Sequence, residues 1–167
     1  TLRNAFDPAR IFRIDHYLGK EAVEGIAAVR FGNRLLEPIW SREHIDNVQI
    51  TLAEEFGTQG RAGFYDRSGA VRDVLQNHVL QVAALLAMEP SDDHVKDEEL
   101  RVLRRMRALA PASTVFGQYA GYRDEPGVAE GSATETFVAS TLRIDSRRWA
   151  GVPFHLRAGK HLGATAT

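Results

Sequence analysis

The sequence contains no cysteine, which excludes several kinds of chemistry at once. None of the 167 residues can supply a thiol nucleophile, a disulfide or a thiolate metal ligand. The longest uninterrupted apolar run, Val82 to Met88, is far shorter than the roughly 20 residues that cross a bilayer. Positive and negative charges nearly cancel, leaving a net charge of −1, so no overall field would draw the chain to nucleic acid or to a membrane.

Several sequence motifs that mark nucleotide and metal sites are also missing. There is no G-x-G-x-x-G between a strand and a helix, no G-x-x-x-x-G-K-[ST] and no G-x-S-x-G. The glycines from Gly57 to Gly63 have the wrong spacing, and we expect no helix after them. None of the six histidines forms an H-x-H or H-E-x-x-H pattern. We therefore expect neither a nucleotide site nor a metal site in this chain.

Hydrophobic spacing predicts helices first and strands mainly later. Helices are expected near residues 20–36, 70–88 and 95–109, and a turn at residues 66–69. Strands are expected at 48–52, 115–120, 134–144 and 152–158. This order favours an α+β fold with helices packed on an antiparallel sheet over alternating βαβ units.

His78 is the unusual residue of the predicted helix 70–88. On a regular α-helix it projects to the apolar side with Val74 and Leu85, whereas Asp73 and Asn77 belong to the polar half. One interpretation is a core histidine that bonds a backbone carbonyl. The other is a general base held in a closed site by a carboxylate elsewhere in the chain.

The segment from Asp15 to Lys20 places an imidazole, a phenol and an ammonium group at a predicted helix start. His16, Tyr17 and Lys20 supply these groups. Free backbone N–H groups at a helix start favour an anion, and phosphate suits this set of side chains. An ordinary helix start with a surface lysine is the alternative.

Glu54 and Lys160 both follow predicted strands. The alternation of Val48, Ile50 and Leu52 would direct Glu54 to the buried face, unless it simply lies beyond the strand end. There it could accept hydrogen bonds from the hydroxyls of a polar ligand. Lys160 is either an exposed lysine without a role or part of a site built at the strand end.

Several blocks of sequence together resemble the glucose-6-phosphate dehydrogenase family, and they keep the family's order along the whole chain. They are RIDHYLGKE (residues 13–21), FGNR (31–34), PIW (38–40), EFGTQGRAGFYD (55–66), RDVLQNH (72–78), GVPF (151–154) and LRAGK (156–160).

The resemblance implies an oxidoreductase that converts glucose 6-phosphate to 6-phosphogluconolactone and transfers hydride to NADP. His78 would be the general base for the C1 hydroxyl, and Asp15 would orient it. The substrate-binding residues implied are His16, Tyr17 and Lys20 for the phosphate, Glu54 and Asp73 for sugar hydroxyls, and Lys160. On a regular α-helix Asp73 and His78 would lie about 140° apart, so we expect Asp73 to act from the helix entry.

The resemblance also bears on domains and partners. It implies that residues 1–167 are part of a substrate-binding and catalytic domain, without the family's N-terminal dinucleotide-binding (Rossmann) domain. The start at Thr-Leu-Arg-Asn fits an internal segment. We therefore expect the main NADP site to lie outside the chain, and no turnover by the chain alone. In full length, a cytoplasmic homo-oligomer joined through its sheet is expected. A non-catalytic sugar-phosphate-binding or assembly module is the alternative function.

Overall fold

Four strands form a single sheet in the computed structural model, which describes residues 5–7, 10–11, 16–91 and 95–166. The strands are β1 (Val48–Ala53), β2 (Thr114–Gly117), β3 (Phe137–Leu142) and β4 (Phe154–Gly159), in the spatial order β1-β4-β3-β2. The pairs β2–β3 and β3–β4 are antiparallel, and β1 joins β4 in parallel. Because several helices lie between β1 and β4 in the sequence, the connection is long enough for a parallel pairing.

The helices are α1 (Glu21–Phe31), α2 (Ala62–Ala70), a π-helix (Val71–Val79), α3 (Leu80–Ala87) and α4 (Val95–Arg105). Short 3₁₀ turns cover Glu37–Ile39, Pro111–Ser113 and Tyr122–Asp124. The α+β class is confirmed, and the sheet is antiparallel except for the β1–β4 pair. No helix of the described part of the chain is long and apolar enough to span a membrane.

One face of the sheet is covered by the helical layer. Burial alternates along β3 and β4, as expected for strands with one covered face. The π-helix packs against β1 and β4, and α3 packs between α1 and α4. The core therefore lies between the sheet and the continuous helical segment formed by the π-helix and α3. Its fully buried side chains include Leu75, Val79, Phe154 and Leu156.

The structure corrects three local predictions. The turn predicted at residues 66–69 is confirmed only at its end, because residues 66–68 are helical within α2 and the chain is kinked at Gly69, which leaves the helical conformation at φ 67°. A helix does follow the glycines of residues 57–63, since α2 begins at Ala62. The predicted helix over residues 70–88 is present, but its first half is a π-helix rather than a regular α-helix.

The π-helix begins where Glu135 meets the chain just after Gly69. The carbonyl oxygen of Glu135 accepts a hydrogen bond from the backbone N–H of Ala70, and its Oε1 atom accepts one from Val71 at 3.0 Å. A carboxylate is favourable at this end of a helix because of the exposed N–H groups there. The loop before β3 thereby fixes the start of the segment that carries His78.

Candidate active site

A cavity of about 270 Å³ opens between the start of α1, the ends of β1 and β4, and the π-helix. Its size is near the lower end of the roughly 300–1,000 Å³ typical of small-molecule sites. The lining residues are His16, Tyr17, Lys20, Leu52, Glu54, Arg61, Asp73, Val74, Asn77, His78 and Lys160. Seven of the eight predicted site residues are among them. The eighth, Asp15, lies outside the described residues.

Aromatic rings form one wall of the cavity. The ring of Tyr17, only 3% exposed, stacks on that of His78 with centroids 4.6 Å apart and planes inclined by 23°. The ring of His16 approaches the ring of His78 edge-on, with their centroids 5.3 Å apart. The start of α1 is therefore in direct contact with the π-helix, and the orientation of the His78 imidazole depends on Tyr17.

Two cations on the cavity wall are not neutralised. The Lys20 Nζ atom lies 4.4 Å from the centroid of the Tyr17 ring, a cation–π contact. Arg61 immediately precedes α2. Neither side chain makes an ion pair with any carboxylate in the described ranges. These two residues can therefore offer positive charge to an anionic ligand.

Arg61 and Asn77 line the cavity but were not predicted as site residues. Arg61 was overlooked because no helix was expected after the glycine-rich segment, so nothing placed it at a helix start. Arg61 could have been predicted from the order of a strand, a glycine-rich loop and a following helix, since loops of this kind commonly build sites. Asn77 precedes His78 directly and shared the polar half of the predicted helix.

Glu54 and Lys160 face each other because the register of the sheet continues past the strand ends. The last parallel pair is Ala53 with Gly159, and the Glu54 N–H donates to the Gly159 carbonyl at 3.0 Å. The Lys160 Nζ atom forms an ion pair with the Glu54 carboxylate. The Lys160 side chain is 4% exposed and that of Glu54 is 22% exposed. Glu54 therefore points to the covered face, as the alternation along β1 predicted, and Lys160 is not an exposed lysine.

The π-helix brings Asp73 and His78 to the same cavity. In a π-helix the backbone N–H of one residue bonds the carbonyl five residues earlier, so residues five apart lie about one turn apart. The Leu80 N–H bonds the Leu75 carbonyl in this way. The expectation that Asp73 lies far around the axis from His78 is therefore wrong, because it assumed a regular α-helix.

Tyr65 lies behind the cavity wall and carries a buried polar group. Its side chain is 3% exposed, and its hydroxyl has no hydrogen-bond partner within the described residues. Burial raises the pKa of Tyr65 well above its ordinary value, and the negative charge of Asp73 raises it further. The Lys160 Nζ atom lies 5.2 Å from its ring centroid. Tyr65 thus stays protonated, and its ring packs next to the Lys160 ammonium group.

Taken together, the cavity offers three kinds of group to a ligand. Unpaired cations and an exposed imidazole lie at the start of α1 and of α2 and suit a phosphate. Carboxylates and an amide on β1 and the π-helix suit hydroxyl groups. His78 lines the same cavity and carries an imidazole that can accept or donate a proton. Within the described residues, no group of three or more potential ligands could hold a metal ion.

Comparison with known proteins places these observations in a family. The family model described as "Glucose-6-phosphate dehydrogenase, C-terminal domain" matches residues 27–167, and the one described as "Glucose-6-phosphate dehydrogenase, NAD binding domain" matches residues 1–25. The chain is 51% identical over 178 residues to "Glucose-6-phosphate 1-dehydrogenase 2" of Mycobacterium bovis, covering 97% of the chain and 35% of the relative. It is 48% identical over 163 residues to the cytoplasmic isoform of Solanum tuberosum, covering 95% and 32%.

Solved structures agree with this assignment. Glucose-6-phosphate 1-dehydrogenase from Mycobacterium avium is 50% identical and superposes with a TM-score of 0.90 over 98% of this chain and 38% of that one. A glucose-6-phosphate dehydrogenase in complex with its substrate glucose-6-phosphate is 41% identical, with a TM-score of 0.91 over 98% and 36% of the two chains. The chain spans about a third of the length of the curated relatives it matches. It belongs to the glucose-6-phosphate dehydrogenase family.

Proposed function

We propose that this chain forms the sugar-phosphate site of an enzyme that oxidises the C1 hydroxyl of glucose 6-phosphate to the lactone, with NADP as hydride acceptor. The observation that carries the proposal is the single cavity in which the predicted phosphate, hydroxyl and proton-transfer residues converge. A structural neighbour 41% identical to this chain was solved with glucose-6-phosphate bound, which supports the choice of substrate.

The phosphate would bind where the cavity meets the start of α1. His16 and Tyr17 would donate hydrogen bonds, and Lys20 would supply charge. We add Arg61 to this group because it lines the cavity, makes no ion pair with the described carboxylates, and can bind a phosphate through two parallel hydrogen bonds. Lys160 is already neutralised by Glu54, so its role would be to orient that carboxylate as well as to contact the substrate.

The sugar ring would lie against β1 and the π-helix. Glu54 and Asp73 would accept hydrogen bonds from sugar hydroxyls, and Asn77 would add a donor and an acceptor. His78 would take the proton from the C1 hydroxyl, a contribution of roughly 10²- to 10⁴-fold in rate for a general base. Stacking on Tyr17 would hold the imidazole in the required orientation. The role of Asp15 as its carboxylate partner stays a prediction.

The described residues do not fit the main NADP site. Gly57 and Gly63, at the two ends of the glycine-rich segment, are packed against other parts of the chain, whereas Gly60 faces open space. A Cβ atom on Gly57 would come within 2.8 Å of the Tyr119 hydroxyl, and one on Gly63 within 3.2 Å of the Gly127 carbonyl oxygen. The segment also lacks the G-x-G-x-x-G spacing that places a pyrophosphate at a helix start. The sequence predicted a substrate-domain segment over residues 1–167, but residues 1–25 match the NAD-binding-domain model. We therefore propose that residues 27–167 contribute part of the substrate domain, that a dinucleotide-binding domain matched here only by residues 1–25 holds NADP, and that the chain alone gives no turnover.

Two further parts of the proposal concern the whole enzyme. Assembly of two or more copies through the sheet is supported by the edge strand β2, where Val115 is 63% exposed and Phe116 is 58% exposed. A cytoplasmic location is supported by the name of the Solanum tuberosum relative.

The proposal is tested by titrating the chain with glucose 6-phosphate in a calorimeter. We expect saturable binding at one site, abolished by Lys20→Ala and weakened by Arg61→Ala, but largely retained by His78→Ala, because a base acts on the reaction more than on ground-state affinity. An equal loss of affinity in Lys20→Ala and His78→Ala would contradict the assigned roles.

Catalysis is tested separately in the Mycobacterium avium enzyme with its matching segment replaced by this chain. We expect that chimera to reduce NADP, and His78→Ala to lower its kcat by at least 100-fold with little change in KM. Binding without turnover in a correctly folded chimera would favour the non-catalytic sugar-phosphate module.

A further inference from the structure

The carboxyl end of α3 is capped entirely by side chains from distant parts of the chain. An α-helix leaves its last four carbonyl groups without intrahelical partners. In α3 the carbonyls of residues 85–87 lack such partners, as does that of Met88, which directly follows the helix, and each of these four accepts a hydrogen bond from a side chain. The donors are Arg30 to Leu85 at 3.0 Å, Trp40 to Leu86 at 2.8 Å, Trp149 to Ala87 at 2.8 Å, and Arg30 again to Met88.

The three donors, which we call the carbonyl clamp, come from three separate elements. Arg30 belongs to the last turn of α1, Trp40 follows the 3₁₀ turn after α1, and Trp149 lies in the loop between β3 and β4. Arg30 is 1% exposed and Trp149 is fully buried. A positive charge is favourable at the carboxyl end of a helix because of the helix dipole.

A second set of contacts holds the clamp in place. Arg148 donates to the backbone carbonyl of Trp40 at 2.8 Å and forms ion pairs with Glu37 and Glu89. The Arg30 Nε atom lies 3.6 Å from the Glu37 carboxylate. The buried cation is therefore balanced by charge, and the end of α1 is joined to the end of α3 through a connected network.

The clamp joins the two helical segments that meet again at the cavity. Lys20 lies at the start of α1. Tyr17, three residues before Lys20 in the sequence, stacks on His78. The ten residues from Lys20 to Arg30 correspond to about 15 Å of helix. A tilt of α1 by about 5° about its clamped end would move Lys20 by about 1.3 Å, from that length. Displacements of about 1 Å are enough to reduce an enzyme's rate about 100-fold.

We propose that Arg30 and Trp149 are positioning residues, which set the separation between the phosphate-binding start of α1 and the π-helix that carries Asp73 and His78. This inference rests on the proposed function for its ligand. It predicts that the clamp matters for a ligand that spans the start of α1 and the π-helix, and matters little for inorganic phosphate, which needs only Lys20, its neighbours and Arg61 and does not reach Asp73 or His78.

The test measures the affinity for two ligands in variants at two positions, Arg30 and Val102. The variant Arg30→Met keeps an unbranched side chain but loses the charge and both hydrogen bonds, whereas Arg30→Lys keeps the charge. The control is Val102→Ala on α4, which lowers stability by removing buried methyl groups, while Val102 donates none of the hydrogen bonds of the clamp and does not line the cavity. Binding of glucose 6-phosphate and of inorganic phosphate is measured well below the melting temperature of every variant.

We expect Arg30→Met to weaken glucose 6-phosphate binding at least tenfold while the affinity for inorganic phosphate changes less than twofold. Arg30→Lys should recover part of the loss, and Val102→Ala should change neither affinity. Parallel loss of both ligands in Arg30→Met, or unchanged glucose 6-phosphate binding in that variant, would overturn the proposal. If Arg30→Met does not fold, Trp149→Phe removes a single N–H donor and is expected to show the same selectivity.

A measurement without ligand separates this inference from the proposed function. The Tyr17 and His78 rings are close enough for nuclear Overhauser effects between their protons. We expect these effects to be weakened or lost in Arg30→Met and Trp149→Phe and retained in Val102→Ala. Failure of the unmodified chain to bind glucose 6-phosphate would contradict the proposed function, whereas an unchanged ring contact in the folded clamp variants would contradict the clamp.

Discussion

The buried ion pair between Glu54 and Lys160 gives the sharpest stability prediction. The variant Glu54→Gln keeps the shape of the side chain but leaves the Lys160 ammonium, on a side chain only 4% exposed, without its counter-charge. Removing one partner of a buried ion pair typically costs 3–5 kcal/mol, because the other charge stays buried and uncompensated. Since Glu54 is 22% exposed and water reaches part of the pair, we take the lower end, about 3 kcal/mol.

The opposite change should cost less. In Lys160→Met the remaining charge belongs to Glu54, which solvent partly reaches, so we expect a loss of about 1 kcal/mol. The neighbouring Glu55 is exposed and makes no ion pair with any described residue, and Glu55→Gln is therefore the matched control. We therefore expect Glu55→Gln to be the most stable of the three variants, Lys160→Met to be intermediate and Glu54→Gln to be the least stable.

Thermal unfolding followed by circular dichroism measures this order directly. For a chain of this length, 1 kcal/mol corresponds to roughly 2–4 °C in Tm, so Glu54→Gln should melt about 6–12 °C below the unmodified chain. Urea unfolding should give the same ranking with an unchanged m-value. A Tm for Glu54→Gln within 2 °C of that for Glu55→Gln would refute the account of Lys160 as a buried, charge-compensated lysine.

Two further predictions concern buried polar groups near the site. Tyr65→Phe removes a hydroxyl that has no partner in the described part of the chain, so Tm should stay unchanged or rise, and a fall of more than 4 °C would show that the hydroxyl is bonded. The Asp66 carboxylate accepts a hydrogen bond from the Ser132 hydroxyl, which holds the pKa of Asp66 below its ordinary 3.8 although burial acts in the opposite direction. Hydrogen bonds from the Ala129 N–H and the Tyr122 hydroxyl lower this pKa further. The stabilisation is therefore present at neutral pH and lost as the pH falls below about 3.8, through the lowered folded pKa. Asp66→Asn should melt lower at pH 7 and lose less Tm than the unmodified chain on acidification, whereas identical acid sensitivity would contradict this reasoning.

Much of the site could be predicted from the sequence because its residues follow regular elements. The alternation along β1 directed Glu54 to the covered face, and the parallel register then paired it with Lys160. The residues at the start of α1 were candidates because of their chemical types and the free N–H groups expected at a helix start, and the family resemblance favoured a site over an ordinary helix start.

The π-helix could not be predicted in this way. Its wider turn depends on Gly69, which breaks the preceding helix, and on Glu135, a residue from a distant loop that bonds its first N–H groups. Periodicity within the segment still indicated a helix, but it assigned the wrong angle between Asp73 and His78. The carbonyl clamp was hidden for the same reason, since its donors are brought to α3 by tertiary packing and their spacing in the sequence carries no signal.

The central claim is that a sugar phosphate spans the cavity from the start of α1 to the π-helix. A crystal structure of this chain with glucose 6-phosphate tests it most directly. The account predicts the phosphate within hydrogen-bond distance of Lys20 and Arg61, and the C1 hydroxyl within hydrogen-bond distance of the His78 imidazole. A ligand bound with the sugar at Lys20 and the phosphate at His78, or bound outside this cavity, would contradict the account.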